Sequence, residues 1–407
     1  METSEQIGGP PSSGPQPETL DYLLAPHSVE EFVEHYWTTR PLRVVRSNGA
    51  YLQRLFSLHE LDDAISSSGP RSPRFRALKS GREINLRAAY AKHVTHEDIS
   101  VHYRLGGTVV AQFLEERNSK LTSLCNHIAS RLIGPVGVNV YMTPPGGVGL
   151  PPHFDAHDVI VAQLHGQKSW RLYDWDGKPP PPGEHFRPGD TDPDGPRTEF
   201  TLGEGDVLYV PRGMVHAAEA LTTHSVHLTI GIRTPTWHDV LLAWFEEEVK
   251  AASGLGEVIP HDTLVSRATI REVWRDKLEH QFEWVDAESV FDIARRHAMS
   301  GFRQRPSGRF STLFGSAHLG VWSEFEVREH DWSEIDYAED HATIRFGGKE
   351  VLVPAAFEPE IRYLSGLRAP TTVAGMESTL DFDSRLQLVR SLLDEGWLRL
   401  LERRDTR

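Results

Sequence analysis

The sequence predicts an α+β protein whose centre is a double-stranded β-helix, a jelly-roll barrel, followed by a helical region and a mixed C-terminal region. Three observations carry this. Between Gly137 and about Thr234, β-branched and aromatic runs alternate with Gly, Pro and Asp turns, as in closed all-β units. After Pro235 the apolar periodicity becomes helical. From about Ser311 strand-like and helix-like stretches alternate. At 407 residues the chain exceeds what one core usually organises, so two or three domains are expected.

Taken in order, residues 1–18 form a low-complexity tail, whose Gly-Gly-Pro-Pro-Ser-Ser-Gly-Pro cannot bury enough apolar surface to order itself. Ser28 can cap a helix that places Val29, Phe32, Val33 and Tyr36 on one side. Leu42 to Arg46 reads as the first strand. From Tyr51 to Ser130 the pattern is mixed, with helical stretches near Leu58–Ser66 and Phe113–Leu132 around a strand-like Val109–Gln112. The barrel proper then begins and closes the first domain, residues 19–235.

Inside the barrel, Val159–Ala162 and Lys168–Tyr173 read as two strands of a hairpin turned at His165-Gly166-Gln167. Asp174 to Thr198 is rich in Pro, Gly, Asp and Glu and reads as a long rim loop. Beyond it, Trp237–Ala252, Thr269–Phe282 and Ala287–Ala298 have helical amphipathicity, giving a helical region at 236–305. In the last region, 306–407, a hairpin across Gly347-Gly348 precedes helices at Glu358–Ser365 and Ser384–Glu395 and a strand at Trp397–Leu401.

Composition narrows the function classes. With 39% hydrophobic and 25% charged residues the chain is globular. No apolar run approaches membrane-spanning length, and the N-terminus lacks a basic region followed by an apolar one, so a cytoplasmic location is expected. The single cysteine, Cys125, rules out an intramolecular disulfide and fits a reducing compartment as a small core residue. A net charge of −15 argues against nonspecific nucleic-acid binding as the main activity and would attract a basic protein partner.

The chemistry concentrates in two stretches, Leu150–Tyr173 and Gly203–Ala217. His153 and Asp155 are two residues apart, and on a strand both would face the same side. In the second stretch a Gly-Asp turn, the run Val207–Val210 and the turn Pro211-Arg212-Gly213 lead to His216. Two imidazoles and one carboxylate leave open positions on an octahedral ion, the arrangement favoured by non-haem Fe(II) oxygenases. His-x-Asp alone is a weak signal; the ordered run of strands and turns around it, the signature of a cupin-type jelly roll, strengthens it. His157, His165, His224 and His227 compete as ligands and rank below the triad.

These residues resemble the JmjC-type, cupin-like 2-oxoglutarate oxygenases, and among them the ribosomal oxygenases. The motifs that carry the resemblance are Asn139-Val140-Tyr141-Met142-Thr143-Pro144-Pro145, Pro152-His153-Phe154-Asp155, Gln167-Lys168-Ser169-Trp170-Arg171 and Tyr209-Val210-Pro211-Arg212-Gly213. It spans about Leu20 to the C-terminus. It implies that His153, Asp155 and His216 hold Fe(II), that Lys168 pairs with the distal carboxylate of 2-oxoglutarate, and that Asn139 and Tyr141 hydrogen-bond this co-substrate. Read from residue type alone, a solvated turn lysine is the lesser alternative for Lys168, and ordinary packing an equal one for Asn139 and Tyr141. The last barrel strand reads His227-Leu228-Thr229 where some members carry a hydroxylated side chain at the co-substrate.

The resemblance further implies that 2-oxoglutarate and dioxygen are consumed to hydroxylate a protein side chain, a ribosomal protein first among targets. The helical region would make a homodimer, although amphipathic helices pack as readily on their own chain. The 306–407 region would be winged-helix-like. Asp381, Asp383, Asp394 and Glu395 beside its would-be groove helix repel phosphate, so direct DNA binding is not expected and a protein contact is. Two other readings stay open: hydroxylation of a natural-product peptide or N-methyl-lysine demethylation at the same triad, and a cupin-like regulatory protein with a relic metal site.

Overall fold

The computed structural model describes residues 15–46, 48–66, 75–79, 81–84, 96–184, 186, 194–251, 258, 287–300, 309–328, 333–346, 349–367 and 369–401. Residues 1–14 of the expected tail and the expected helix at 269–282 lie outside the described residues. The chain divides into two compact units, residues 1–131 with 136–233, and residues 132–135 with 234–407.

The first unit is organised by a sheet of nine strands among the described residues: β1 (Leu42–Val44), β2 (Phe75–Lys79), β3 (Arg82–Ile84), β4 (Thr108–Ala111), β5 (Val136–Thr143), β6 (Asp158–Tyr173), β7 (Arg197–Leu202), β8 (Val207–Val210) and β9 (His216–Ile232). Their order is β1-β8-β6-β9-β5-β4-β2-β3, with β7 on the far half of β6. All the pairings are antiparallel. The sheet therefore reaches beyond the expected barrel start at Gly137: β2, β3 and β4, from the stretch read as mixed, extend it.

The expected hairpin at His165-Gly166-Gln167 does not form. β6 runs unbroken from Asp158 to Tyr173, and β9 follows it along almost all of that length. The Gly signal was real but marks a bulge, because the register shifts between Gln163 and His165 and again between Gly166 and Lys168. Gly166 has φ +66, and a Cβ there would stand 1.7 Å from the His224 carbonyl oxygen, so only glycine fits. Before this point Val159 and Val161 face the inside of the barrel; after it Lys168 and Trp170 do.

Local signals place the flanking elements well. Ser28 accepts from Glu31 N at 3.0 Å and caps the helix Val29–His35, whose Phe32 is fully buried while Val33 stays exposed. Asp158, fully buried at the start of β6, accepts from Tyr209 Oη (2.7 Å), Arg212 Nε (2.7 Å) and Arg212 N (3.3 Å). This explains the Tyr-Val-Pro-Arg-Gly motif: two of its side chains lock the end of β8 to the segment that carries His153 and Asp155.

The second unit holds two three-stranded antiparallel sheets. One joins β10 (Glu324–Val327) to β14 (Thr371–Thr372) and β15 (Leu398–Leu400), and the other stacks β11 (Ser333–Tyr337), β12 (His341–Phe346) and β13 (Lys349–Pro354). Helices Glu358–Ser365 and Phe382–Glu395 pack on a core that includes Phe325, Ile344, Ile361, Val389, Leu393 and Trp397. Asp381 caps the second helix through Ser384 N, and Gly396 (φ 86) ends it. Helices Trp237–Ala251 and Ala287–Ser300 also belong here. No described helix is long and apolar enough to cross a membrane.

Candidate metal centre

His153 and Asp155 do not sit on a regular strand. They lie in the segment before β6, and a single bridge between His153 and His216 fixes them: His153 N donates to His216 O at 3.1 Å and His216 N to His153 O at 2.8 Å. Asp155 O accepts from Gly213 N at 2.9 Å, which ties the second ligand position to the Pro-Arg-Gly turn. The same-face argument from strand alternation thus gives the right convergence for the wrong local reason; backbone pairing to the start of β9 does the work.

The three side chains meet. One candidate atom from each of His153, Asp155 and His216 lies within 4.8 Å of the others, and His216 Nε2 is 3.7 Å from Asp155 Oδ2. The imidazole orientations are set from behind. His153 Nδ1 bonds Pro151 O at 2.8 Å and His216 Nδ1 bonds Met214 O at 3.0 Å, which makes Nδ1 the protonated nitrogen and leaves Nε2 as a lone pair on each ring. Burial and the neighbouring His216 push His153 down to about 4, so it is neutral at physiological pH. Burial works against the Asp155 carboxylate, yet His216 and His153 beside it hold its pKa below the ordinary value. The competing histidines His157, His165, His224 and His227 are not part of this group.

The triad opens into a cavity whose lining includes Tyr141, Gly149, Lys168, Trp170, His227 and Thr229. Lys168 is no solvated turn lysine. It is 2% exposed, and its Nζ bonds Thr143 Oγ1 at 3.3 Å with no carboxylate paired to it among the described residues. Burial lowers its pKa to about 7. Tyr141 lies below the ammonium, its ring centre 5.8 Å from Nζ, and stacks flat on His227 at 5.1 Å. Burial, then the charge of Asp155, pushes the Tyr141 hydroxyl up to about 12. Asn139 shares the Tyr141 face of β5 but does not line the cavity; its Oδ1 accepts from Phe113 N at 3.2 Å.

Sequence reasoning did not single out Asp158, Thr143 or Trp170, and it left His227 open. Asp158 was findable: a buried arginine in the Pro-Arg-Gly turn requires a carboxylate partner. Trp170 and His227 were not, because the bulge and the register jump opposite it decide which residues of β6 and β9 face inward.

Residues 109–240 match the family model described as the JmjC domain. Over that stretch the chain is similar to JmjC domains. The matched segment runs from β4 to β9 and contains all three residues of the triad as well as Lys168. Among curated proteins it is similar to ribosomal oxygenase 2 of Rattus norvegicus, 33% identical over 240 residues covering 55% of this chain and 49% of the relative. It is also similar to ribosomal oxygenase 2 of Bos taurus, 30% identical over 306 residues covering 68% and 63%. The chain thus spans about half to three fifths of the length of these relatives. Among solved structures, YcfD of Escherichia coli aligns at TM-score 0.57 and 17% identity, covering 92% of this chain and 98% of that one. YcfD in complex with cobalt and 2-oxoglutarate aligns at 0.54 and 16%, with the same coverage. At such identity the likeness of this chain to YcfD is one of fold.

Proposed function

We propose that this chain is an Fe(II)- and 2-oxoglutarate-dependent oxygenase that hydroxylates a protein side chain, with a ribosomal protein as its target. One observation carries the reading: three ligand atoms converge at one point of a cavity that also holds a buried lysine with no counter-anion among the described residues. The donor set fits a divalent iron, since two Nε2 lone pairs and a carboxylate suit borderline metals and leave room for other ligands. The lysine fits a dicarboxylate, because a buried ammonium without a paired charge calls for an anion.

With 2-oxoglutarate and dioxygen, iron at such a centre supplies the oxidising power that places one oxygen atom in a C–H bond while the co-substrate becomes succinate and carbon dioxide. The rest is done by the chain itself. His153, Asp155 and His216 hold the ion in orientations set by Pro151 O, Met214 O and the Gly213 turn. Lys168 and the Tyr141 hydroxyl orient the co-substrate; Asn139, expected to share this role, lies outside the cavity lining with its Oδ1 on Phe113 N. Val159, Val161 and Trp170 exclude water from the reacting end.

The names of the relatives support a ribosomal substrate. One of them, from Dictyostelium discoideum, is named a bifunctional lysine-specific demethylase and histidyl-hydroxylase and is 28% identical over 238 residues. Demethylation is accordingly the second reading. In the wider architecture we assign 19–235 as the catalytic domain, 236–305 as a helical region that pairs two copies, and 306–407 as a winged-helix-like domain for protein contacts. The setting is cytoplasmic. The exposed Trp237, Leu241, Leu242 and Phe245 on one helix support the pairing of copies.

The test is succinate release by the purified protein with Fe(II), ascorbate and 2-oxoglutarate, wild type against His153→Ala, in the presence of ribosomes and followed by intact-mass analysis. Gain of one oxygen on a ribosomal protein establishes the reading, whereas loss of a methyl establishes demethylation. No turnover, together with no binding of 2-oxoglutarate to the metal-loaded protein, leaves a regulatory cupin-like protein.

A further inference from the structure

The loop that leaves β6 touches the back of the metal centre at three places. Trp175 packs on the apolar cluster that contains Met214, the residue whose carbonyl bonds His216 Nδ1 at 3.0 Å. Lys178 O and the Pro180 ring press on Gly213: a Cβ added at this glycine would stand 3.1 Å from that oxygen and 2.7 Å from Pro180 Cδ. Gly213 N in turn donates to Asp155 O at 2.9 Å. Phe186 meets Phe154 at a right angle, with ring centres 5.6 Å apart, and Phe154 stands between His153 and Asp155 in the chain.

The sequence makes this loop stiff. Pro179, Pro180, Pro181 and Pro182 run consecutively, and each ring fixes φ at about −65°, so the segment has few conformations to lose. Before them Trp175 Nε1 donates to Lys178 O at 2.9 Å and Lys178 N to Asp176 Oδ1 at 3.0 Å, closing a turn around Gly177 (φ +81). Three of the four prolines are exposed; the half-buried one is Pro180, which lies on Gly213.

The metal-bearing segment needs such support. His153 and Asp155 lie outside any regular strand, and the paired backbone bonds to His216 hold the first of them. Asp155 is held through Gly213, and therefore by whatever backs Gly213. Ligand atoms have to stay within about 0.5 Å of the productive geometry, so a small backbone shift here reaches the carboxylate.

We propose that Trp175, Pro180 and Phe186 are positioning residues: the loop braces the His153–Asp155 segment and the Gly213 turn against His216, setting metal affinity and coordination geometry without supplying a ligand. This rests on the metal-site reading above.

The experiment is Co(II) titration of the full chain, followed by the visible absorption of the bound ion. Phe186→Ala is expected to weaken Co(II) by about tenfold, the scale of a lost outer support to metal ligands, and to change the absorption band. Phe186→Tyr, which restores the edge-to-face contact, recovers both. Trp175→Phe loses the bond to Lys178 O and weakens Co(II) by a smaller factor. Leu61→Ala truncates the core of the same unit at a residue that does not line the triad cavity. It is expected to lower the thermal midpoint while leaving Co(II) affinity and band as in wild type.

Unchanged affinity and band in Phe186→Ala overturn the proposal, as does a loss that Phe186→Tyr does not recover or that Leu61→Ala reproduces. Circular dichroism verifies folding, and if Phe186→Ala does not fold, unchanged Co(II) affinity in Trp175→Phe overturns the proposal. Wild type that binds no Co(II) overturns the metal-site reading as well, while wild type that binds it with all variants equal overturns the brace alone.

Discussion

Lys168 answers to two opposing demands. Burial lowers its pKa from the ordinary 10.5 to about 7, so between these values the unfolded chain binds more protons there than the folded one. The sign follows: stability of the ligand-free protein rises with pH through that window, because deprotonation relieves a buried charge. Affinity for 2-oxoglutarate moves the other way and falls above pH 7 as the ammonium is lost. Titrations of Mn(II)-loaded protein from pH 6 to 9 are expected to show this decline in wild type, and a flat, weak profile in Lys168→Met. At the triad, His153→Ala leaves one imidazole and one carboxylate. It is expected to abolish the rise in thermal midpoint that added Co(II) produces in wild type, without lowering the metal-free midpoint by more than a few degrees.

Among the elements, the buried pair of Asp158 and Arg212 is the most costly to break. Arg212→Met strands a carboxylate that is fully buried and leaves Tyr209 as its remaining side-chain partner. A loss of about 3–5 kcal/mol is expected in denaturant unfolding, well beyond that of an exposed ion-pair variant such as Arg104→Met. Gly166→Ala forces a Cβ onto the His224 carbonyl, so β6 must shift near Lys168. It is expected to lower stability by more than about 1 kcal/mol and to weaken 2-oxoglutarate binding, both readable in one thermal-shift series.

At this scale, too, the limits of the sequence become physical. Helices at Leu58–Ser66, Glu358–Ser365 and Trp237–Ala251 were legible because caps and 3.6-residue periodicity are local signals. His153 and Asp155 were legible because ligand-type residues at short spacing carry chemistry, His216 because a Gly-Asp turn, strand and Pro-Arg-Gly turn lead to it, and Lys168 only through the family resemblance. Continuity of β6 through His165-Gly166-Gln167 was not, because a glycine at positive φ serves a turn and a bulge equally well, and only the strand opposite decides. Inward placement of Trp170 and His227 depended on that decision.

For the whole molecule the open issue is what covers the apolar surface of the second unit. Trp237 is 79% exposed, and Leu241, Leu242 and Phe245 continue its stripe at helical spacing. If a second copy covers it, light scattering is expected to give twice the chain mass for wild type and a monomer for the double variant Trp237→Glu, Phe245→Glu. A monomeric wild type would remove the pairing of copies from the proposed architecture and leave the triad untouched. The segment that matches the JmjC model lies within the first unit except for residues 132–135 and 234–240, so the triad can be assayed separately from that question.

The register jump on β9 has a consequence of its own. His216 and His227 face one cavity although eleven positions separate them, an odd count that regular pleating would send to opposite sides. β6 shows the same exchange, with Val159 and Val161 inward before the bulge and Lys168 and Trp170 inward after it. What the two strands inherit is therefore a parity. Were β6 to run with regular alternation from Val161 to Lys168, seven positions on, the ammonium and the indole would turn outward, and the chemistry would be lost with no catalytic residue changed.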